Sequence, residues 1–157
     1  MKPLPHLFFG MIFVLILLFI FPQIGFIGFF MILSSTVLID VDHYLYYVYK
    51  KKDWNLRNAF NWFIKSGKKF NKMPKDQWDN IYFAVCIFHG IEAIIILFAF
   101  SFHFQFLLFI ITGFIFHQLL DLIQLIEKRI SPLKVVSLTY LLIDIKSKEL
   151  IDNYIIK

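Results

Sequence analysis

Apolar and polar positions divide the chain into blocks of very different character. Residues 7–21 are almost wholly apolar and close at Pro22 and Gln23, and residues 25–39 form a second apolar run that Asp40 ends. Each run, at about 1.5 Å per residue, reaches roughly 22 Å and falls short of a 30 Å hydrocarbon core. Either residues 7–39 form one long helix kinked at Pro22, or they fold into a hairpin of two short helices. Proline removes a backbone donor and restricts its predecessor, so a break here favours the hairpin. Residues 81–102 and 104–126 read as two further full spans, joined by a turn at Ser101 and His103. The expected fold is therefore an all-α integral membrane protein, a single domain over 1–157. Its four spans lie near 7–21, 24–39, 81–102 and 104–126.

Between the second and third spans the pattern changes. Residues 44–78 carry nine Lys or Arg residues, including Lys50, Lys51 and Lys52. Asp53 is positioned to cap a helix running through Phe63, with Gly67 ending it, and Trp54 and Trp62 suit a segment lying in the membrane interface. Residues 133–157 form a tail in which Leu138, Leu141, Leu142 and Ile145 recur at helical spacing, which predicts an amphipathic surface helix.

Composition supports a membrane assignment. Apolar residues make up 59% of the chain and charged residues 17%, against roughly 45–50% and 25% in soluble domains. A domain of 157 residues has too little interior to hide that surface. The apolar start lacks a small-residue cleavage site and is followed by more hydrophobic segments, so it reads as a membrane helix rather than a leader. One cysteine, Cys86, excludes an intrachain disulfide framework and a multi-cysteine zinc cluster. The net charge of +5 would suit nucleic acid in a soluble protein. Here all sixteen Lys and Arg residues fall at the amino terminus, in 44–78 and in the carboxy-terminal region. Four spans then place both termini and the long loop on the cytoplasmic side of the membrane, with no role for nucleic acid.

Ionisable side chains inside apolar segments are costly and point to function. Asp40, Asp42 and His43 end the second span, His89 and Glu92 share a helix face in the third, His117 and Asp121 share one in the fourth, and His6 stands at the mouth of the first. His89 and His117 both come to roughly 13 Å from the cytoplasmic ends of their spans. Carboxylates crowded in low dielectric protonate unless a cation is present, and imidazole with carboxylate suits zinc first, with manganese or iron as alternatives. Asp40, Asp42, His43, His89, Glu92, His117, Asp121 and His6 are the candidate ligands for one or two ions, with Glu92 and Asp40 the candidate catalytic carboxylates. A bland reading stands beside each. Asp40 to His43 can be a polar helix end, His6 an interfacial histidine, and His117 and Asp121 an interhelical hydrogen-bonded pair; Cys86, one turn before His89, can be a soft ligand but reads more simply as a small buried hydrophobe. Gly10, Gly28, Gly90 and Gly113 read as close helix contacts.

These residues carry a resemblance. Pro5-His6-Leu7-Phe8-Phe9-Gly10, Leu38-Ile39-Asp40-Val41-Asp42-His43, and Gly113 with His117 and Asp121 resemble the motifs of the LexA-regulated, membrane-bound metal-dependent hydrolase family typified by YdjM. The likeness covers roughly residues 5–43 and 85–121. The middle motif keeps His89 and Gly90, lacks the family's Arg and second His, and has Glu92 one turn along. The resemblance implies a divalent-metal hydrolase with lipids or lipid-linked phosphates or esters as substrates. A metal-binding carrier and a structural membrane protein with a buried polar network are the alternatives from other classes.

Overall fold

The structure, a computed structural model, describes residues 3–74, 78, 81–82, 84–127, 137–139, 142 and 149–150. It is built almost entirely of helices: α1 (Pro3–Ile20), α2 (Gly25–Leu38), α3 (Val41–Lys51), α4 (Leu56–Asn71), α5 (Ile91–Ser101) and α6 (Leu107–Glu127). The extended structure among the described residues is one short parallel pairing, β1 (Ile81–Tyr82) with β2 (Glu149–Leu150).

The break at Pro22 is present. Pro22–Ile24 forms a single 3-10 turn, and Gly25 follows with φ +63° and ψ −175°, a conformation open to glycine at little cost. Helices α1 and α2 then pack on each other, with Gly10 of α1 set against Leu33 and Thr36 of α2. The register of α2 on α6 can be read from three contacts. Gly28 meets Phe109, Ile32 meets Gly113, and the Thr36 carbonyl meets His117. Each pair is separated by 81 residues (109 − 28, 113 − 32 and 117 − 36), so α2 and α6 run parallel. By contrast α1 crosses α6 in the opposite sense, since His6 reaches Asp121 while Phe13 stacks on Phe116.

Gly113 permits the closest approach. A Cβ there would fall on the Ser35 hydroxyl and 2.6 Å from the Ile32 carbonyl oxygen. We expect Gly113→Ala to destabilise the protein by about 1–3 kcal/mol through overpacking. Thermal unfolding of the purified protein checks this. Ser35→Gly should restore only part of the loss, because the Ile32 carbonyl belongs to the backbone.

Three expected elements are corrected. The segment 81–102 is not one span: α5 starts only at Ile91, with Gly90 in extended conformation (φ −80°, ψ 149°) before it. Residues 84–90 form an irregular approach whose backbone is held from outside the segment. The Asp42 carboxylate accepts the Phe88 N–H, and Gln118 donates to the His89 carbonyl. The helix predicted from Asp53 to Phe63 instead begins at Leu56, because Asn55 is its cap and accepts the Arg57 and Asn58 N–H groups. It continues through Gly67 to Asn71. Asp53 staples the α3–α4 linker, accepting from the Asn55 N–H, the Tyr47 hydroxyl and the Asn58 amide, and these contacts hold its carboxyl below the ordinary range. Residues 44–51 are helical, so 44–78 does not start as a loop. The predicted tail helix 133–157 lies mostly outside the described residues. Its described part is helical at Leu138, Thr139 and Leu142 and extended at Glu149–Leu150.

Two helical stretches are long and apolar enough to cross a membrane, Pro22–Lys51 (30 residues) and Leu107–Glu127 (21 residues). Leu4–Ile20 and Ile91–Ser101 are shorter apolar helices. The outer faces stay apolar: Phe19, Phe26 and Phe102 are each more than three-quarters exposed. Helix α4 has an inner face, where Ala59, Trp62 and Phe63 meet Tyr44, Tyr47 and Val48 of α3. It also has an outer apolar stripe of Leu56, Phe60 and Ile64, one turn apart.

Candidate metal centre

The packing of α1, α2 and α6 brings their polar residues to one place. His6 comes from the first turns of α1, Asp40 from the turn between α2 and α3, His117 and Asp121 from α6, and His89 from the irregular approach to α5. His6, His117 and Asp121 have no accessible surface, and His89 is 4% exposed.

Two of the imidazoles are oriented by acceptors behind them. His117 Nδ1 lies 2.7 Å from the Thr36 carbonyl oxygen, which only accepts, so Nδ1 carries the proton and Nε2 presents a lone pair in the neutral ring. His89 Nδ1 lies 3.0 Å from Asp42 Oδ2, which leaves its Nε2 free in the same way. A carboxylate or carbonyl behind a histidine is the usual support for a metal ligand, fixing tautomer and ring orientation. Asp42 is fully engaged there. Its Oδ2 also accepts the Phe88 N–H, and its Oδ1 lies 3.1 Å from His43 Nδ1.

The free atoms converge. Asp40 Oδ1 is 3.4 Å from His89 Nε2 and 3.6 Å from His117 Nε2, while Asp121 Oδ2 is 3.3 Å from His117 Nε2 and 3.8 Å from His89 Nε2. His6 Nε2 is 3.3 Å from Asp121 Oδ1, and its ring stacks on that of His117 at 4.2 Å. None of these approaches has hydrogen-bond geometry. His6 Nδ1 and Nε2, Asp40 Oδ1, His89 Nε2, His117 Nε2 and both Asp121 oxygens are buried without a hydrogen-bond partner. Among the described residues, every buried side-chain nitrogen or oxygen in that condition belongs to these five side chains. Ligands held at about 2.1 Å from one ion lie roughly 3.0–3.6 Å from one another in four- or five-coordination, close to the 3.3–3.8 Å between these atoms. Two carboxylates and three neutral imidazoles also balance the charge of one divalent ion. The cluster can therefore coordinate a divalent metal.

His43 and Cys86 form a flank to this group. Cys86 Sγ lies 3.4 Å from His43 Nδ1, and with Asp42 and His89 the two make a second set of converging donors. Cys86 faces this polar set rather than an apolar core. Thr36 and Gln118 escape sequence reasoning, because each acts through a contact to distant backbone or to a ring held there.

Glu92 stands apart. His89 precedes α5 instead of sharing a helical face with it, and the Glu92 carboxylate accepts from the Ser137 hydroxyl and the Leu138 and Thr139 N–H groups. We expect Glu92→Gln to leave metal content unchanged and to lower stability by about 1 kcal/mol, because bonds to a charged acceptor become neutral ones at a partly exposed site. Metal analysis alongside thermal unfolding checks both parts; loss of metal would make Glu92 a ligand.

No family model matches this chain, and neither a curated protein nor a solved structure does. Fold and site define its class: a mostly helical protein, with two helices long and apolar enough to cross a membrane, around a buried histidine–aspartate cluster able to hold a divalent metal.

Proposed function

We propose that this chain is a multi-pass membrane metalloprotein that binds one divalent ion through His6, Asp40, His89, His117 and Asp121. The observation that carries the reading is that, among the described residues, the seven buried side-chain nitrogen and oxygen atoms without a partner all belong to those five side chains, which form two ligand sets sharing His117. Leaving such atoms unpaired costs about 1–3 kcal/mol each, and more for charged ones, which a bound cation offsets. Asp42 and the Thr36 carbonyl act as positioning groups for His89 and His117. Zinc heads the expected ions, with manganese and iron next. The helices α1, α2, α5 and α6 form the membrane part, with both termini and the 44–78 segment on the cytoplasmic side. The exposed apolar faces and the clustering of Lys and Arg support this arrangement. The outer stripe of α4 then rests in the interface.

Metal binding as such fits a carrier or a structural site as well as an enzyme. A second reading, metal-dependent hydrolysis of a phosphate- or ester-bearing amphiphile, is favoured by one detail. Asp40 and His43 retain 22% and 19% side-chain exposure beside an otherwise closed cluster, giving a rim that water and substrate can reach. A bound divalent ion supplies Lewis acidity for such chemistry. Asp40 on the rim is then the carboxylate suited to orient a water, and the resemblance to the YdjM-like hydrolases points the same way.

Elemental analysis of protein purified without chelator should find close to one equivalent of a transition metal per chain. No stoichiometric metal, even after loading with zinc, manganese or iron(II), would leave a purely structural polar network. Metal-dependent turnover of a phosphoester or ester in mixed micelles would separate the enzyme from the carrier.

A further inference from the structure

An open groove of about 570 Å³ runs along the outer side of α2 and α6, walled by Phe30, Leu38, Val41, Phe88, Ile110 and Phe114. Its volume falls within the range of about 300–1,000 Å³ common for small-molecule sites. Along α2 and into α3, from Phe30 to Val41, the wall extends about 16 Å at 1.5 Å per residue. Apart from Ser34 and Ser35 the lining is apolar, which suits a hydrocarbon chain better than a soluble polar solute.

The groove's lining residues neighbour the cluster residues along the chain at three points. Leu38 and Val41 bracket Asp40, the most accessible of the five proposed ligands. Phe88 lines the groove, donates its N–H to Asp42 and is followed directly by His89. On α6, Phe114 lies one turn before His117. A molecule lying in the trough would thus have its end near Asp40, the cluster residue with the most exposed side chain. Lys50, Lys51 and Lys52 close α3 about 14 Å along the helix from Val41, with Lys51 over the Trp62 ring and Lys52 over the Tyr49 ring, and their charge adds longer-range attraction for an anionic head.

We propose that this groove seats the hydrocarbon chain of a membrane amphiphile with an anionic phosphate head, and delivers that head to the Asp40 rim of the cluster. The inference rests on the metal-site reading and deepens it by giving the amphiphile a seat and a route of entry, sideways from the bilayer.

The test uses the full chain in phosphatidylcholine nanodiscs, metal-loaded, with a hexadecyl phosphate carrying a mid-chain diazirine. After illumination, peptide mapping should find the label on Phe30, Met31 or Phe114. Unlabelled hexadecyl phosphate should compete and inorganic phosphate should not. Ser34 lines the trough with an exposed side chain. Ser34→Trp should therefore fill it and cut labelling at least tenfold, while metal content and thermal midpoint stay at the wild-type level. Removing the metal should also reduce labelling, since the head loses its anchor. Labelling spread evenly over the outer faces of α1 and α5, indifferent to metal and to Ser34→Trp, would overturn the proposal and leave ordinary annular lipid. Competition by inorganic phosphate at equal concentration would overturn it in favour of a soluble ligand. Both outcomes leave the metal reading intact. A wild-type chain that takes up no metal would instead remove that reading, whatever the label does.

Discussion

Stripping metal with a chelator should lower the thermal midpoint of the wild-type protein by about 10 °C, and the chelator should have almost no effect on Asp121→Asn. A ligand present at about a thousandfold its dissociation constant stabilises the folded state by about 4 kcal/mol. In a chain of this size about 1 kcal/mol moves the midpoint by some 2–4 °C. Asp121 is the natural probe because both of its oxygens are buried and unpartnered, and they face His6 on one side and His89 and His117 on the other. Asparagine keeps the shape and removes the charge. Without metal the variant should be at least as stable as the stripped wild type, since an uncompensated buried carboxylate has gone. A polar network without metal predicts the reverse: no chelator effect on the wild type, and an Asp121→Asn protein weaker than its parent. Differential scanning fluorimetry with and without chelator separates the two.

Changing Asp42 to Asn should weaken metal affinity by 10–100-fold while one equivalent still binds at saturation. That is the ordinary consequence of losing an outer partner of a ligating histidine. Asp42 Oδ2 stands behind His89 Nδ1 at 3.0 Å and behind the Phe88 N–H at 3.0 Å. The asparagine oxygen can still accept one of these bonds, but without the charge that makes the His89 ring a stronger donor to metal. Competition titration against a chromophoric chelator measures the change. A complete loss of binding would make Asp42 itself a ligand, and no change would remove its positioning role.

The features readable in advance are those that depend on local chemistry. Pro22 had to interrupt a helix, and the interruption stands where the apolar runs divide. Asp40, His89, His117, Asp121 and His6 stood out because a polar residue in an apolar run needs a reason, and the fold brings all five together. The places where expectation and structure part depend on partners far along the chain. His89 and Glu92 are three residues apart and would share a face in a continuous helix. Asp42 and Gln118, 47 and 29 residues from His89, hold the backbone in another shape. Near Asp53 two good caps compete two residues apart. Asn55 takes the helix because Asp53 is already occupied by Tyr47, six residues back. Glu92 counts as a candidate ligand because it is a carboxylate in an apolar run, but its donors come from residues 137–139, which nothing in the local pattern ties to it.

The constant interval between the contacts of α2 and α6 bears on which ions the site accepts. Thr36 and His117 are seated one turn beyond the point where Gly113 brings the two backbones together. A slip of one residue between these helices would shift them by about 1.5 Å and turn the histidine by about 100°, far outside the tolerance of about 0.2 Å that coordination allows. The jaw width of the site is thus set by main-chain atoms, as in a calliper with its screw tightened. Ions of different radius would be sorted by how well they match a preset gap, with little give from side-chain rotation.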